Sequence, residues 1–232
     1  MPKKKRRERY PVIDCVRGVA VLLMIVFHCA YDLNGFGLVR IDFSGNVFWF
    51  VLPRFIVTLF MLCVGTCLFI VHRGEIKWSS MRSRLLRIGG WALGITLITY
   101  LLFPKNFVFF GILHCIAVSS LLALPFVNRS IAALVLGLAL VIPGMFFPWS
   151  LTPVSDWLDI NPMDYVPLYP WFGVVLLGIY LGSRNIYRME LGDGPLKRFL
   201  GFLGRHSLQI YLIHRPVVFS AVFALYRWKT SG

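Results

Sequence analysis

The segment Arg9-Tyr10-Pro11-Val12-Ile13-Asp14-Cys15-Val16-Arg17 leads into an apolar run that carries His28 and closes on Asp32. At 3.6 residues per turn, Asp14, Arg17, Val21, Met24, His28 and Asp32 fall on one stripe of a helix. Arg17 and His28 are eleven residues apart, which aligns them to within about 20° and separates them by about 16 Å along the axis. One helix face thus offers a cation near one end and an acid/base group deeper in. A carboxylate four residues from an imidazole can fix its tautomer and stabilise the imidazolium, as a general base requires. Asp32 is expected to do this for His28. The plainer alternatives are an Asp14–Arg17 ion pair at the helix entrance and a histidine that merely hydrogen bonds within the core.

Three other segments carry polar groups to similar depth. Arg54 follows Phe50-Val51-Leu52-Pro53, His114 ends Gly111-Ile112-Leu113-His114, and Trp171 ends Pro167-Leu168-Tyr169-Pro170-Trp171. The last apolar run opens with Arg205-His206-Ser207 and carries Tyr211, His214, Arg215 and Pro216. Ser207, Tyr211 and His214 share a face. A bare cation at 215 is unfavourable in hydrocarbon unless paired or hydrated, and Pro216 frees a backbone carbonyl beside it. Each of these residues alone is more often structural than catalytic. A polar pocket inside a set of helices accounts for all of them together.

The elements that must hold such a pocket follow from composition. The chain has 232 residues, of which 58% are hydrophobic and 15% charged, with a mean hydropathy of +0.73. That excludes an ordinary water-soluble globule, a disordered chain and a small disulfide scaffold. Seven apolar spans are expected, at 11–32, 47–71, 83–103, 107–127, 130–149, 165–183 and 206–227, each with about the 20 residues that cross a bilayer core. The runs lack the alternation of an outer-membrane barrel. The expected fold is all-α, a polytopic membrane helical bundle. It is read as a single membrane-embedded domain over 1–232, with residues 1–10 a basic cytoplasmic tail.

Lys and Arg set the orientation. Six lie at 3–9, five in the 72–88 loop and five in the 184–205 loop, whereas the 150–164 loop holds Asp156, Asp159 and Asp164 and no Lys or Arg. By the positive-inside rule the first group faces the cytoplasm, with the N-terminus inside and the C-terminus outside. Run 3–7 reads as an anchor to anionic lipid rather than a nuclear address, and Cys29-Ala30-Tyr31 is a poor cleavage site for a signal peptide. The net charge of +14 sits in short loops between apolar runs, which argues for membrane orientation and against nucleic acid as partner. The five cysteines, Cys15, Cys29, Cys63, Cys67 and Cys115, fall in or beside apolar runs and read as free thiols. No spacing suggests a metal site.

Four stretches together resemble the heparan-α-glucosaminide N-acetyltransferase family, in its short bacterial form. They are Asp14-x-x-Arg17-Gly18 with Met24 and His28; Phe110-Gly111-Ile112-Leu113-His114; Tyr169-Pro170-Trp171 with Gly178 and Gly182; and Gly204-Arg205-His206-Ser207-Leu208-x-Ile210-Tyr211-Leu212-Ile213-His214. The Arg17-x10-His28 spacing also resembles the acyltransferase-3 membrane O-acyltransferases. The resemblance implies an acyltransferase that takes acetyl-CoA or another acyl-CoA from the cytoplasm. It delivers the acyl group to an amine or hydroxyl of a sugar or glycan beyond the membrane, in a bacterial inner membrane. Compared with the lysosomal members this sequence is much shorter. Their active histidine lies in the outer loop after the first span, whereas residues 33–71 here contain none. The catalytic role therefore passes to His28 through the acyltransferase-3 pattern. Arg215 stands where the resemblance implies an amide residue.

On this basis His28, Asp32 and His114 are the expected catalytic residues. Arg17, Arg84, Arg87, Arg205 and Ser207 are expected at the acyl-CoA donor, whose phosphates suit arginine. Arg54, Trp171, Tyr211 and His214 are expected at the acceptor. His28 is read either as a base for direct attack on the thioester or as the carrier of an acyl group. The lipid bilayer is the expected partner, no metal is expected, and the sequence is compatible with a homo-oligomer. A small-solute or ion transporter built on the same buried polar cluster is the alternative. Inverted repeats would favour it, and none is visible. A structural membrane protein whose polar residues only join helices is a further alternative.

Overall fold

The computed structural model describes residues 9–146 and 159–230. The basic residues 3–7, Asp156 and the end of the expected fifth span lie outside the described residues. The chain is all-α, with eight α-helices among the described residues. They are α1 (Pro11–Gly35), α2 (Val47–His72), α3 (Trp78–Leu102), α4 (Ile112–Leu122), α5 (Ser130–Phe146), α6 (Leu168–Ser183), α7 (Pro195–Arg205) and α8 (Ser207–Thr230). In an apolar solvent a helix is the local way to satisfy every backbone group. Pro11 and Pro195 stand in the first turns of α1 and α7, where a missing N–H costs nothing.

Four helices, α1, α2, α3 and α8, are long and apolar enough to cross a membrane. The expected spans at 11–32, 47–71, 83–103 and 206–227 correspond to them. Among the described residues the other three expected spans hold the shorter apolar helices α4, α5 and α6, so four full-length candidates stand and the count of seven is not confirmed. The expected span 107–127 contracts to α4 because residues before Ile112 run extended. Phe110 bridges to Tyr165, and Val166 N–H donates to the Phe110 carbonyl at 2.9 Å. Beyond Leu122 the chain tightens into a 3₁₀ turn at Leu124–Phe126, where Pro125 stands in the first turn. Expected span 165–183 likewise starts late, at Leu168, for the same extended pairing.

The 184–205 segment, read as a loop, contains α7. This helix is strongly amphipathic: Leu196, Phe199 and Phe202 are exposed on one side, and Gly201 and Gly204 are buried. A cationic segment between two apolar helices masks its helical period when it is read only for charge. A single residue, His206, joins α7 to α8. Its N–H points back to the Phe202 and Leu203 carbonyls, and its carbonyl accepts from Ile210 N–H at 2.9 Å.

The chain divides into two compact units. The first comprises residues 9–60 and 187–230, and the second residues 61–186, so α2 contributes to both. In the first, α1 packs against α7 and α8. Met24 of α1 and Leu52 and Ile56 of α2 form a buried core with Phe27, Trp49 and Tyr211 against it. In the second, α5 packs on α6, and α4 lies against α3 and α6. α3 leaves Leu86 and Leu101 about 70% exposed, a surface suited to hydrocarbon rather than water.

Lipid removes most of the hydrophobic drive between helices, so close packing must supply it. In the first unit, the α-carbon of Gly18 faces the Leu200 carbonyl, and that of Gly204 faces the Asp14 carbonyl. In the second, Gly65 and Gly178 do the same for the α2–α6 crossing, where the Thr66 hydroxyl donates to the Leu62 and Gly178 carbonyls at 2.9 and 3.0 Å. A methyl group at Gly18 or Gly204 would overlap backbone, which cannot swing aside. Gly18→Ala and Gly204→Ala should each destabilise the protein by about 1–3 kcal/mol. Gly90→Ala, at a position with open space, should be neutral or slightly stabilising. Thermal unfolding in detergent micelles measures both, and equal melting of Gly18→Ala and Gly90→Ala would refute the packing account.

Candidate functional site

In the first unit α1 and α8 bring four polar side chains together. His28 on α1 and His214 on α8 meet edge to face, with ring centroids 4.8 Å apart. One helical turn beyond His28, buried Asp32 accepts a hydrogen bond at 2.9 Å from Nη1 of Arg215, the residue after His214. The cation in the last span thus has its counter-charge 183 residues earlier in the chain.

The tautomers follow from the partners. A carbonyl can only accept, so His28 Nδ1, 2.8 Å from the Met24 carbonyl, is the protonated nitrogen of the neutral ring. The same holds for His214, whose Nδ1 lies 2.7 Å from the Tyr211 carbonyl. Both rings keep the Nε2 lone pair away from their own helices. His214 Nε2 and Asp32 Oδ2 are buried and have no hydrogen-bond partner among the described residues.

This corrects the expected pairing of Asp32 with His28. The carboxylate goes to Arg215, and the Met24 carbonyl fixes the His28 tautomer. A full guanidinium in an apolar span outcompetes a neutral imidazole for a carboxylate within reach of both. The sequence held a signal for this pair, since a carboxylate and a guanidinium inside two apolar runs each need an opposite charge. Arg17 is half-buried on the same stripe of α1.

Tyr211 packs on the Met24–Leu52–Ile56 core beside the histidine pair. Ser207 is half-buried at the first position of α8, and Arg205 is exposed at the end of α7. Arg54 does not turn toward the histidines. It is exposed, stacks on Phe50 with 3.7 Å to the ring centroid, and bonds the Phe50 carbonyl at 2.6 Å. An aromatic group that sequence reading missed surrounds the His28 end of α1. Phe43, from the loop after α1, contacts Phe27, Tyr31 and Trp49, and Phe27 stands edge-on to His28 at 5.4 Å. Spacing could not reveal Phe43, because its contacts depend on how that loop folds back.

The second unit holds His114, Trp171, Arg84 and Arg87. Thr96 donates its one hydroxyl hydrogen to the Val108 carbonyl at 2.7 Å, so in the 3.3 Å contact with His114 Nε2 it accepts. Nδ1 of His114 is then the basic nitrogen, and it is buried without a partner among the described residues. Trp171 is half-buried just after the cis Tyr169–Pro170 bond. Arg84 Nε donates to Ser120 Oγ on α4 at 3.2 Å, and Arg87 is exposed. Between α3 and α4, Lys105 bonds Asp159 at 2.6 Å. That hydrogen bond and the carboxylate charge push the Lys105 pKa upward, though at an exposed site water screens the effect. All five cysteines are free thiols.

The sequence matches the family described as heparan-alpha-glucosaminide N-acetyltransferase, catalytic, over residues 9–216. No curated protein and no solved structure matches the chain.

Breaking a fully buried pair typically costs about 3–5 kcal/mol. Arg215 is 44% exposed, so Arg215→Gln should destabilise by less, about 1–3 kcal/mol. Asp32→Asn added to it should recover part of the loss, because the stranded carboxylate is removed. A double-mutant cycle by thermal unfolding tests this, and strict additivity would refute the pair's coupling.

Proposed function

The chain belongs to the heparan-alpha-glucosaminide N-acetyltransferase catalytic family, and on that premise we propose that it is a membrane acyltransferase. It moves an acetyl or other acyl group from cytoplasmic acyl-CoA to an amine or hydroxyl of a sugar acceptor on the far side of the membrane. The family is that of an acetyltransferase, which points to an acyl-CoA donor and a glycan acceptor, and the apolar helices mark a membrane protein. The placement we favour is a bacterial inner membrane, with the N-terminus cytoplasmic and the C-terminus outside. The whole chain acts as one membrane-embedded domain.

The observation that carries the chemistry is the pair of imidazoles whose Nδ1 hydrogens are both committed to backbone carbonyls. Such a ring offers Nε2 as a base without first having to change tautomer. His28 Nε2 takes the proton of the acceptor amine or hydroxyl as that atom attacks the thioester carbonyl carbon. The new C–N or C–O bond forms, the C–S bond breaks, and the leaving CoA thiolate receives the proton from His28. Asp32 offsets the transient imidazolium charge from its place on Arg215, and His214 packs against the ring to hold it. A thioester needs little activation, so holding the two substrates near His28 supplies much of the rate.

The donor is assigned to Arg17, Arg84, Arg87, Arg205 and Ser207. The acceptor is assigned to Tyr211, His214 and Trp171. Arg54 takes the acceptor role only by leaving Phe50. His114, with its buried lone pair, is kept as a second acid/base residue.

The test is acetyl-CoA turnover by the purified protein in liposomes, with amino sugars and hexoses as acceptors. Free thiol and acetylated product should both appear with wild type. His28→Ala, at equal folded amount, should lower the rate about 10²–10⁴-fold. Absence of product together with absence of CoA binding would refute the acyltransferase reading and favour transport.

A further inference from the structure

The start of α1 and the cationic side of α7 enclose a cleft that the histidine chemistry does not use. Its narrower part, about 240 Å³, is lined by Arg9, Lys197, Arg198 and Arg205 with Asp14 as the one carboxylate. A neighbouring wider cavity of about 690 Å³ shares Arg9, Pro11 and Lys197 with it and adds Arg188 and Glu190. Two of the cations are spoken for: Lys197 Nζ is held by the Leu191 carbonyl at 2.9 Å and by Asp193 at 3.1 Å, and Arg198 lies 3.8 Å from Asp193. The guanidiniums of Arg9 and Arg205 have no hydrogen-bond or ion-pair partner among the described residues. That of Arg205 lies back over Gly201, where a methyl group would press on Nη1 at 3.1 Å. Gly201 thus makes room for this cation to face the cleft. The positive end of the α1 dipole adds to the same field.

We propose that this α1–α7 cleft binds a multiply phosphorylated anion, with Arg9 and Arg205 as its principal contacts. Two guanidiniums that line one cleft, with no partner among the described residues, match two separate phosphate groups, each of which an arginine can grip through paired N–H donors. The inference rests on the acyltransferase reading for one source, the nucleotide end of the acyl-CoA donor. Asp14 at the cleft and His28 are fourteen residues apart on α1, an axial rise of about 21 Å. A donor anchored here by its phosphates needs a long flexible arm to bring a thioester to the imidazole, and the pantetheine chain is such an arm. The other source is the headgroup of an anionic lipid, to which α7 would bring Leu196, Phe199 and Phe202 as its bilayer-facing side.

The full-length protein in phosphatidylcholine nanodiscs is titrated calorimetrically with adenosine 3′,5′-bisphosphate, and in parallel with adenosine monophosphate. Wild type should bind the bisphosphate, and the monophosphate about tenfold less tightly. The Arg9→Gln/Arg205→Gln variant should lose at least about tenfold for the bisphosphate and melt as wild type does, since both side chains are exposed. A lipid arm measures retention of phosphatidylglycerol by both proteins through purification. Loss of bisphosphate binding assigns the cleft to the soluble donor, and loss of phosphatidylglycerol retention alone assigns it to lipid. If the double variant matches wild type in both arms, the cleft is not a phosphate site. The two readings fail separately. Turnover with an unchanged KM for acetyl-CoA in the double variant would overturn the donor assignment and leave the enzyme standing. Bisphosphate binding lost in the double variant, with neither turnover nor acetyl-CoA binding by wild type, would overturn the acyltransferase reading and leave the phosphate site standing.

Discussion

A charge inside an apolar medium must find its opposite, and Asp32 and Arg215 meet that requirement in each other. Both residues sit in helices that lipid would otherwise favour keeping free of ions. Joining them fixes the far end of α1 against α8. His28 precedes Asp32 by one turn and His214 immediately precedes Arg215, so the register that satisfies the ion pair also sets the two imidazoles ring to ring. The polar site is therefore a by-product of electrostatic bookkeeping along two helices.

The opposite end of α1 solves a different problem with a different device. There the contact is backbone on backbone, through Gly18 against Leu200 and Gly204 against Asp14. Side-chain volume is given up so that α7 can lie close enough to share a cleft with the start of α1. One helix thus carries a charge lock at one end and a close-packed seam at the other, and the expected chemistry lies between them. The motif residues divide in the same way: Gly18 and Gly204 are there for distance, His28 and His214 for lone pairs.

Much of this was legible in the sequence and some was not. Hydropathy located α1, α2, α3 and α8 to within about five residues at each end, because a 20-residue apolar run in a membrane protein has few structural options. It overextended α4 and α6, whose flanking residues pair across loops that no periodicity reports. The stripe from Asp14 to Asp32 was readable as geometry, yet the partner of Asp32 was misread. A neighbour four residues away on the same helix is visible in a sequence, whereas a partner 183 residues away must be inferred from need. The tautomers of His28, His114 and His214 were out of reach for the same reason. Each is set by a carbonyl or hydroxyl whose position exists only once the chain has folded.

The joint between α7 and α8 has a mechanical consequence. His206 alone separates them, and its N–H and carbonyl are both tied into the neighbouring turns, leaving no slack for one helix to move without the other. A load on Arg205 is therefore transmitted to the root of the helix that bears His214. Any occupant that shifts α7 changes the free energy of placing His214 against His28. To the extent that a cleft occupant does so, reciprocity requires that whatever engages the histidine pair alter the grip of the cleft by the same factor.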